Sequence, residues 1–313
     1  MCNPTTSTSL NSEVAKQCEK SAPVEVFRSD YKPLPYTVST VSMEFDIFDG
    51  KTTVTSTINL VPNPKYSGEL PAEMVLDGDE TCVSLLELSM NGSSLEAVSD
   101  YTLSPGKLTL LPSAFEKMNG EEYYALRTKV EIVPETNTQL SGMYKSGCMY
   151  CSQCEAMGFR RITYYPDRPD IMAVFEHVKI VADKKQYPIL LCNGNLVDEG
   201  DIEGVESERH YVVWKDPFPK PSYLFCIIAG NLGMISDSYT TMTGRNVRLQ
   251  IYSEKENVEK LNYAMESLKR SMKWDEDKFG LEYDLDLFNI VAVNDFNMGA
   301  MENKVSYVHY RIL

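Results

Sequence analysis

The stretch YTVSTVSMEFDIFDGKTTVTSTINLV, residues 36–61, decides the fold of most of this chain. Apolar side chains occupy alternate positions on both sides of the dipeptide Asp49-Gly50, a frequent turn sequence between paired strands. Alternation with period two places one face of each strand in a core and the other face in water. The stretch therefore predicts a β-hairpin with one buried face.

Similar short runs, separated by turn residues, continue as far as Trp214 with no long helical pattern between them. One run, residues 189–192, precedes the turn Asn193-Gly194, and residues 223–229 are apolar enough for one buried strand. We therefore expect residues 23–229 to form a mainly β domain, a sandwich of antiparallel strands. The first 22 residues contain few large apolar side chains, which predicts a flexible tail.

The pattern changes after residues 217–221, which contain three prolines and place a domain boundary near Gly230. From Val258 to Met272 apolar residues recur every three or four positions, the period of a helix with one buried face. Ser253 and Glu256 predict a capping box before this helix, and Gly280 predicts its left-handed end. Residues 288–293 follow as a strand, so residues 230–313 predict a second, α+β part.

The charge composition argues against some classes of binding partner. The 313 residues carry 45 Asp and Glu against 30 Lys and Arg, a net charge of −15, so we expect no binding to nucleic acid or to anionic membranes. No apolar run is long enough to cross a bilayer, and the first residues lack the pattern of a secretory signal. A cytoplasmic location is the expectation from these observations.

One segment has residues suited to binding a substrate, and it lies directly after the last predicted strand: Met298-Gly299-Ala300-Met301-Glu302-Asn303. The free amino group of a peptide has a pKa of about 7.7 to 8.0, so it is largely a cation at neutral pH, and a fixed carboxylate such as that of Glu302 can hold it. Gly299 and Ala300 have almost no side chain, which lets another backbone come close. The alternative for Glu302 is an ordinary solvated carboxylate at the end of a strand.

This segment resembles the exopeptidase motif of the aminopeptidase N family of zinc-dependent aminopeptidases. The resemblance implies a saddle-like β domain followed by a thermolysin-like catalytic domain, with Glu302 bound to the amine of the substrate and Met298 beside the pocket for its first residue. The partners that it implies are peptides with a free N-terminal amine.

A second segment, residues 151–170, is similar to the bacterial-type branch of the same family. By that resemblance Gln153 shapes the pocket for the first residue and Glu155 is a second carboxylate on the amine. The same region has the spacing Cys148-x2-Cys151-x2-Cys154, which also occurs in zinc and iron–sulfur sites. A fourth ligand at matching spacing is absent, so ordinary thiols are the preferred interpretation and a metal or cluster the alternative.

The family holds zinc with two histidines of an H-E-x-x-H helix and a more distant glutamate. The histidines here are His177, His210 and His309, and none of them lie four residues apart. The sequence also departs from the family pattern after Lys304, and we expect apolar surface that further sequence would cover. The expectation is therefore the substrate-recognition part of a zinc aminopeptidase, with no catalytic residue, no metal ligand and no activity alone. The alternative is a non-catalytic peptide-binding or regulatory fragment.

Overall fold

The predicted hairpin forms as β1 (Tyr36–Phe48) and β2 (Lys51–Pro62) in the computed structural model. The structure describes residues 25, 27–116, 123–204 and 208–303, and the backbone of residues 306–310. Apolar side chains of β1 such as Val41 and Phe45 are buried, while the polar ones between them are not. Gly50 has φ +75°, a left-handed conformation that glycine adopts without steric cost, so the turn follows from the sequence.

Fourteen further strands and one short helix make up the remainder of the described N-terminal part. They are β3 (Met74–Asp77), β4 (Ser84–Met90), β5 (Ser93–Ser94), β6 (Tyr101–Ser104), β7 (Lys107–Leu110), α1 (Pro112–Phe115), β8 (Tyr124–Ile132), β9 (Gly142–Ser146), β10 (Met149–Gln153), β11 (Ala173–Asp183), β12 (Ile189–Cys192), β13 (Asn195–Asp201), β14 (Arg209–Lys215), β15 (Pro219–Lys220) and β16 (Ile227–Gly230). The mainly β fold of this part is confirmed.

Three sheets organise these strands. The largest has nine strands in the order β13-β14-β11-β1-β2-β8-β4-β5, with β15 also paired to β11. A four-stranded sheet has the order β12-β16-β10-β9, and a three-stranded sheet has the order β3-β7-β6. The expectation of antiparallel strands is wrong at one place, because β1 and β11 pair in parallel.

The core of this part joins the nine-stranded and four-stranded sheets. Every residue of β10 and β16 is buried, so the four-stranded sheet is covered on both faces. Phe225, just before β16, packs its ring 5.9 Å from that of Phe45 and 5.5 Å from that of Phe175. These aromatic contacts tie the second sheet to β1 and β11.

The C-terminal part is a mixed sheet with one helix. Its elements are β17 (Gly233–Thr240), β18 (Asn246–Ser253), α2 (Asn262–Phe279), β19 (Leu287–Val293), β20 (Ala300–Met301) and β21 (Ser306–Tyr310). The strand order is β17-β18-β19-β21-β20. Met265, Leu268 and Met272 of α2 are buried in one cluster with Val247 and Leu249 of β18, as the helical period predicted.

Two local expectations are wrong and one is confirmed. Residues 223–229 are not one strand, because Ser222–Leu224 forms a 3-10 turn after Pro221 and β16 begins only at Ile227. Ser253 ends β18 and caps no helix, since its hydroxyl donates to the carbonyl of Glu254 and a 3-10 segment precedes α2. Gly280 does end α2 with φ +66°.

The domain division stays a prediction. The boundary expected between residues 229 and 230 falls at the end of β16, and residues 34–313 form one compact unit. Before that unit the described residues form a 3-10 turn, Arg28–Asp30. The predicted tail of 22 residues lies outside the described residues. In the described part of the chain, no helix has both the length and the apolar character needed to cross a bilayer.

Candidate functional site

The motif of residues 298–303 lies at the edge of the five-stranded sheet. Ala300 and Met301 form β20, which pairs with β21 and has no second neighbour among the described strands. A Cβ atom added at Gly299 would meet nothing within 4 Å, so the space beside this glycine is open. The outer backbone edge of β20 can therefore accept hydrogen bonds from another extended chain.

The side chains of the motif divide into exposed and buried ones. Met298 is 57% exposed, and Glu302 is exposed with no ion-pair partner in the part of the chain that the structure describes. Met301 and Asn303 are buried. Both polar side-chain atoms of Asn303 lack a hydrogen-bond partner among the described residues, which is a costly arrangement for a buried amide.

The loop that leads into the motif is fastened to β9. Tyr144 Oη donates to the carbonyl oxygen of Asp295 at 2.9 Å, and Ser146 Oγ donates to Asp295 Oδ2 at 2.7 Å. The Asp295 amide donates in turn to Ser146 Oγ at 3.2 Å, and Asn297 Nδ2 donates to the carbonyl oxygen of Leu140 at 3.0 Å. These contacts place the motif relative to the β9–β10 hairpin.

Gln153 lies on the face of this hairpin that carries the loop. In the antiparallel register Cys151 is opposite Tyr144, and Gln153 is opposite Gly142. Directly opposite residues share a face, and residues two apart along a strand do too, so Gln153 points to the same side as Tyr144. The Gln153 amide is fully buried and has no hydrogen-bond partner among the described residues.

Glu155 follows β10 in a tight turn and is exposed. Position 158 in this turn has room only for glycine, because an added Cβ would lie 2.5 Å from the Gln153 carbonyl oxygen. The turn is anchored by Arg160, whose Nε lies 3.1 Å from Asp167 Oδ2. Asp167 also accepts the hydroxyl of Ser222 at 2.6 Å. This anchoring fixes the backbone from which the Glu155 carboxylate projects.

The structure thus brings the two predicted segments to one side of the β9–β10 hairpin without joining them directly. No hydrogen bond or ion pair links Gln153 or Glu155 to residues 298–303 in the described ranges. The predicted roles of Gln153, Glu155, Met298, Gly299, Ala300, Met301, Glu302 and Asn303 in binding substrate stay predictions. Sequence reasoning missed Tyr144, Ser146 and Asp295, which position the motif and carry no motif of their own.

A buried amide in β19 was missed as well. Asn289 shares one face of the strand with Leu287, Val291 and Val293, whose side chains join the large core of the β domain. Neither polar atom of its side chain has a hydrogen-bond partner among the described residues. The regular alternation of apolar residues around it gave no signal for this position.

The three cysteines with the spacing of a metal site differ in their exposure. Cys148 is exposed, whereas Cys151 and Cys154 are buried. Burial raises the pKa of Cys151 to about 12 and that of Cys154 well above its ordinary value, which disfavours the thiolate that binds metals. Among the described side chains no three of His, Cys, Asp or Glu are grouped to hold a metal ion.

The histidines do not supply a zinc site in the described residues. His177 is exposed on β11, and His210 Nε2 lies 2.9 Å from the carbonyl oxygen of Tyr187. His309 lies on β21 opposite Ala300, and only its backbone is described. The side chains that the structure describes therefore do not fit the zinc ion that the family resemblance implies.

Comparison with known proteins matches two parts of the chain to one family. The sequence profile of the peptidase M1 N-terminal domain matches residues 32–224, and that of the peptidase family M1 domain matches residues 263–312. The expectation that the sequence departs from the family after Lys304 is wrong, because the second match continues to residue 312. Residues 306–310 of this matched stretch form β21, which pairs with β19 and with β20.

Individual relatives show the same coverage. The chain is 44% identical to aminopeptidase N of Escherichia coli over 282 residues and 43% identical to aminopeptidase N of Caulobacter vibrioides over 284 residues. Each alignment covers 90% of this chain and 30% of the relative. The crystal structure of Legionella pneumophila aminopeptidase A in complex with aspartic acid superposes with a TM-score of 0.81 at 31% identity, over 90% of this chain and 31% of that one.

Proposed function

The chain belongs to the peptidase M1 family, of which it carries the N-terminal domain and the start of the catalytic domain, and we propose that it binds the free amino end of peptides. The observation that carries this proposal is the open edge strand Ala300–Met301 followed by the exposed Glu302. The loop before this strand is fastened to the hairpin that ends at Gln153, two residues before Glu155. The chain spans about 30% of the length of the curated relatives that it matches, so their hydrolytic activity is not assigned to it.

The edge strand gives the mode of binding. An extended peptide can pair with the outer edge of β20 and continue the sheet, with the open space beside Gly299 available to its backbone. Backbone pairing of this kind is independent of the side chains of the peptide. It therefore suits a protein that accepts many sequences and reads chiefly the position of the amino end.

Two carboxylates then recognise the positive charge of the amino end. Glu302 and Glu155 are exposed carboxylates with no ion-pair partner in the described ranges, so a cationic ammonium group would not have to displace another cation. A charged hydrogen bond is worth about 1.5 to 3 kcal/mol when partly buried, and an exposed ion pair about 0 to 1 kcal/mol. Two carboxylates on one ammonium group strengthen the preference for a chain terminus over an internal peptide bond.

Gln153 and Asn303 are the remaining polar residues that we assign to substrate binding in the two segments. Their amides are buried and unpaired within the described part of the chain. Because an unpaired buried amide costs free energy, a hydrogen bond from either side chain to the peptide backbone would recover part of that cost. We assign them to contacts with the backbone of the first residue, and Met298 to contacts with its side chain.

Hydrolysis is not part of the proposal. In the relatives' family zinc supplies an activated water, but these 313 residues contain no two histidines four apart to hold the ion on one helix face. We expect no turnover of aminoacyl-naphthylamide substrates by the purified chain. Turnover that a chelator abolishes, together with bound zinc measured by elemental analysis, would contradict this expectation.

The experiment that tests recognition uses isosteric variants. Glu302→Gln and Glu155→Gln remove a charge and keep the shape, so each should weaken binding of a free-amine tripeptide by about 1 to 2 kcal/mol, roughly five- to thirtyfold. The N-acetylated tripeptide should be unaffected. Glu176→Gln, at an exposed position on β11, is the matched control. If the free and acetylated peptides lose affinity equally, the two glutamates do not bind the amine.

A further inference from the structure

A polar cavity of about 260 Å³ lies in the N-terminal β part of the chain. It is enclosed by the turn before β4, the end of β8 with the loop that follows it, and the side chain of Arg161. Among the described residues that line the cavity, none is assigned above to peptide binding. Pockets for drug-sized ligands have volumes of about 300 to 1,000 Å³, so this cavity suits a smaller organic molecule.

Arg161 is the only cation among the described residues that line this cavity, and its side chain is 10% exposed. Its Nη1 lies 2.9 Å from Asp79 Oδ2 and donates to Gln139 Oε1 at 2.7 Å. Neither contact uses Nε, which is buried and has no hydrogen-bond partner in the described part of the chain. A buried N–H of a charged group is costly when it has no partner, so an oxygen acceptor beside Nε would stabilise the site.

The negative charges near Arg161 leave room for one more carboxylate. Glu131 is the only acidic side chain in the described lining, and Lys51 Nζ lies 2.6 Å from its Oε2, which offsets its charge. Asp79 contacts Arg161 but does not line the cavity. Because a guanidinium group carries N–H donors on several sides of a planar fork, it can bind a second carboxylate while it keeps the first.

The rest of the lining combines hydroxyl groups with apolar side chains. Ser84 and Thr138 contribute hydroxyls, which can donate to a carboxylate. Ile132 and Met143 are buried apolar residues that also line the cavity. The cavity therefore offers donors for a charged head and an apolar surface for a short carbon chain.

We propose that this cavity binds a small organic acid, a single carboxylate on a short aliphatic chain. The carboxylate accepts a charge-assisted hydrogen bond from Arg161 Nε, and the chain packs on Ile132 and Met143. The volume of the cavity favours a free acid over the carboxyl end of a peptide. This site is separate from Glu302 and does not depend on the binding of a peptide amino end.

The test uses a thiol of the cavity itself as the reporter. Cys82 lines the cavity and is partly exposed, whereas Cys148 is exposed and lies outside the cavity. The full chain is alkylated with iodoacetamide in the presence of valerate, and the rate at each cysteine is measured by mass spectrometry. Rising valerate concentrations should slow the alkylation of Cys82 by at least about fivefold and then saturate, because the bound acid covers the thiol. The alkylation of Cys148 should not change, and the neutral analogue valeramide should protect neither thiol.

Gln139→Glu tests the part played by charge. The new carboxylate keeps an acceptor for Arg161 Nη1 and adds a negative charge to the lining, so valerate should bind at least about tenfold more weakly. Gln186→Glu is the matched control, because Gln186 is exposed in the turn between β11 and β12 and does not line the cavity. Circular dichroism of both variants shows that they are folded.

Three results would overturn the proposal: equal slowing at Cys82 and Cys148, equal protection by valerate and valeramide, or equal valerate affinity of the two variants. Saturation-transfer NMR of the valerate methyl group gives a second readout that does not depend on thiol reactivity. The unmodified chain and Gln186→Glu should transfer saturation to valerate, and Gln139→Glu should transfer less. Absence of transfer from the unmodified chain would show that the cavity does not take the acid and would also overturn the proposal.

Discussion

Replacing Ser146 with alanine tests whether the β9 hairpin holds the motif in place. The Ser146 side chain is 1% exposed, and its hydroxyl makes two hydrogen bonds to Asp295. One is donated to the Asp295 carboxylate and the other is accepted from the Asp295 amide. Ser146→Ala removes both bonds and leaves the two Asp295 groups without this partner.

The magnitude follows from the two bonds. A hydrogen bond to a charged acceptor contributes about 1.5 to 3 kcal/mol and a neutral one about 0.5 to 1.5 kcal/mol, so the variant should lose about 2 to 4 kcal/mol. Urea unfolding followed by circular dichroism measures this loss as a lower midpoint at unchanged slope. The free-amine peptide should also bind more weakly, because the loop before Met298 loses two of the four hydrogen bonds that fasten it.

Ser56→Ala is the matched control for this prediction. Ser56 is also 1% exposed, and its hydroxyl has no hydrogen-bond partner among the described residues. Removal of an unpaired buried hydroxyl should change the free energy of unfolding by about 1 kcal/mol or less, in the stabilising direction. Equal losses in the two variants would refute the assignment of a positioning role to Ser146.

Two further predictions concern stability. Lys220 Nζ lies 3.1 Å from the buried Asp216 carboxylate, so Asp216→Ala would leave a buried cation and should lower the free energy of unfolding by about 3 to 5 kcal/mol. The double variant with Lys220→Met should recover part of this loss in urea unfolding. No recovery would contradict a charge effect. Stability should also fall as the pH rises from about 9 toward 12, because burial raises the pKa of Cys151 and Cys192 to about 12 while the unfolded thiols release their protons near 9.0. The urea midpoint should therefore drop between pH 8 and pH 10.5, and drop less in the Cys151→Ala/Cys192→Ala variant; an equal drop would assign the effect to other groups.

The local features of the fold could be predicted from sequence because each is encoded within a few residues. The alternation in residues 36–61 and the dipeptide Asp49-Gly50 specify the first hairpin, and the helical period with Gly280 specifies most of α2. The parallel pairing of β1 with β11 could not be predicted in this way. The partners, such as Thr40 and Val174, are far apart in the sequence, and nothing local to either strand records the direction of its neighbour.

The residues of the candidate site also differ in whether a local sequence pattern marks them. Glu302 was found because five specified residues form a motif, and Glu155 was found only through the resemblance of its segment to a family. Tyr144 and Ser146 lie about 150 residues from Asp295, and a hydroxyl that bonds a distant loop has no sequence pattern of its own. The residues proposed to bind the peptide are therefore easier to predict from sequence than the residues that position them.

The most direct test of the central claim, recognition of a free amino end, is titration calorimetry of the unmodified chain with one tripeptide in its free and N-acetylated forms. The two ligands differ only in the charge and the hydrogen-bond donors of the amino end. The account predicts that the free-amine form binds at least about tenfold more tightly at pH 7, a difference of about 1.4 kcal/mol. Equal affinity for the two forms would contradict it.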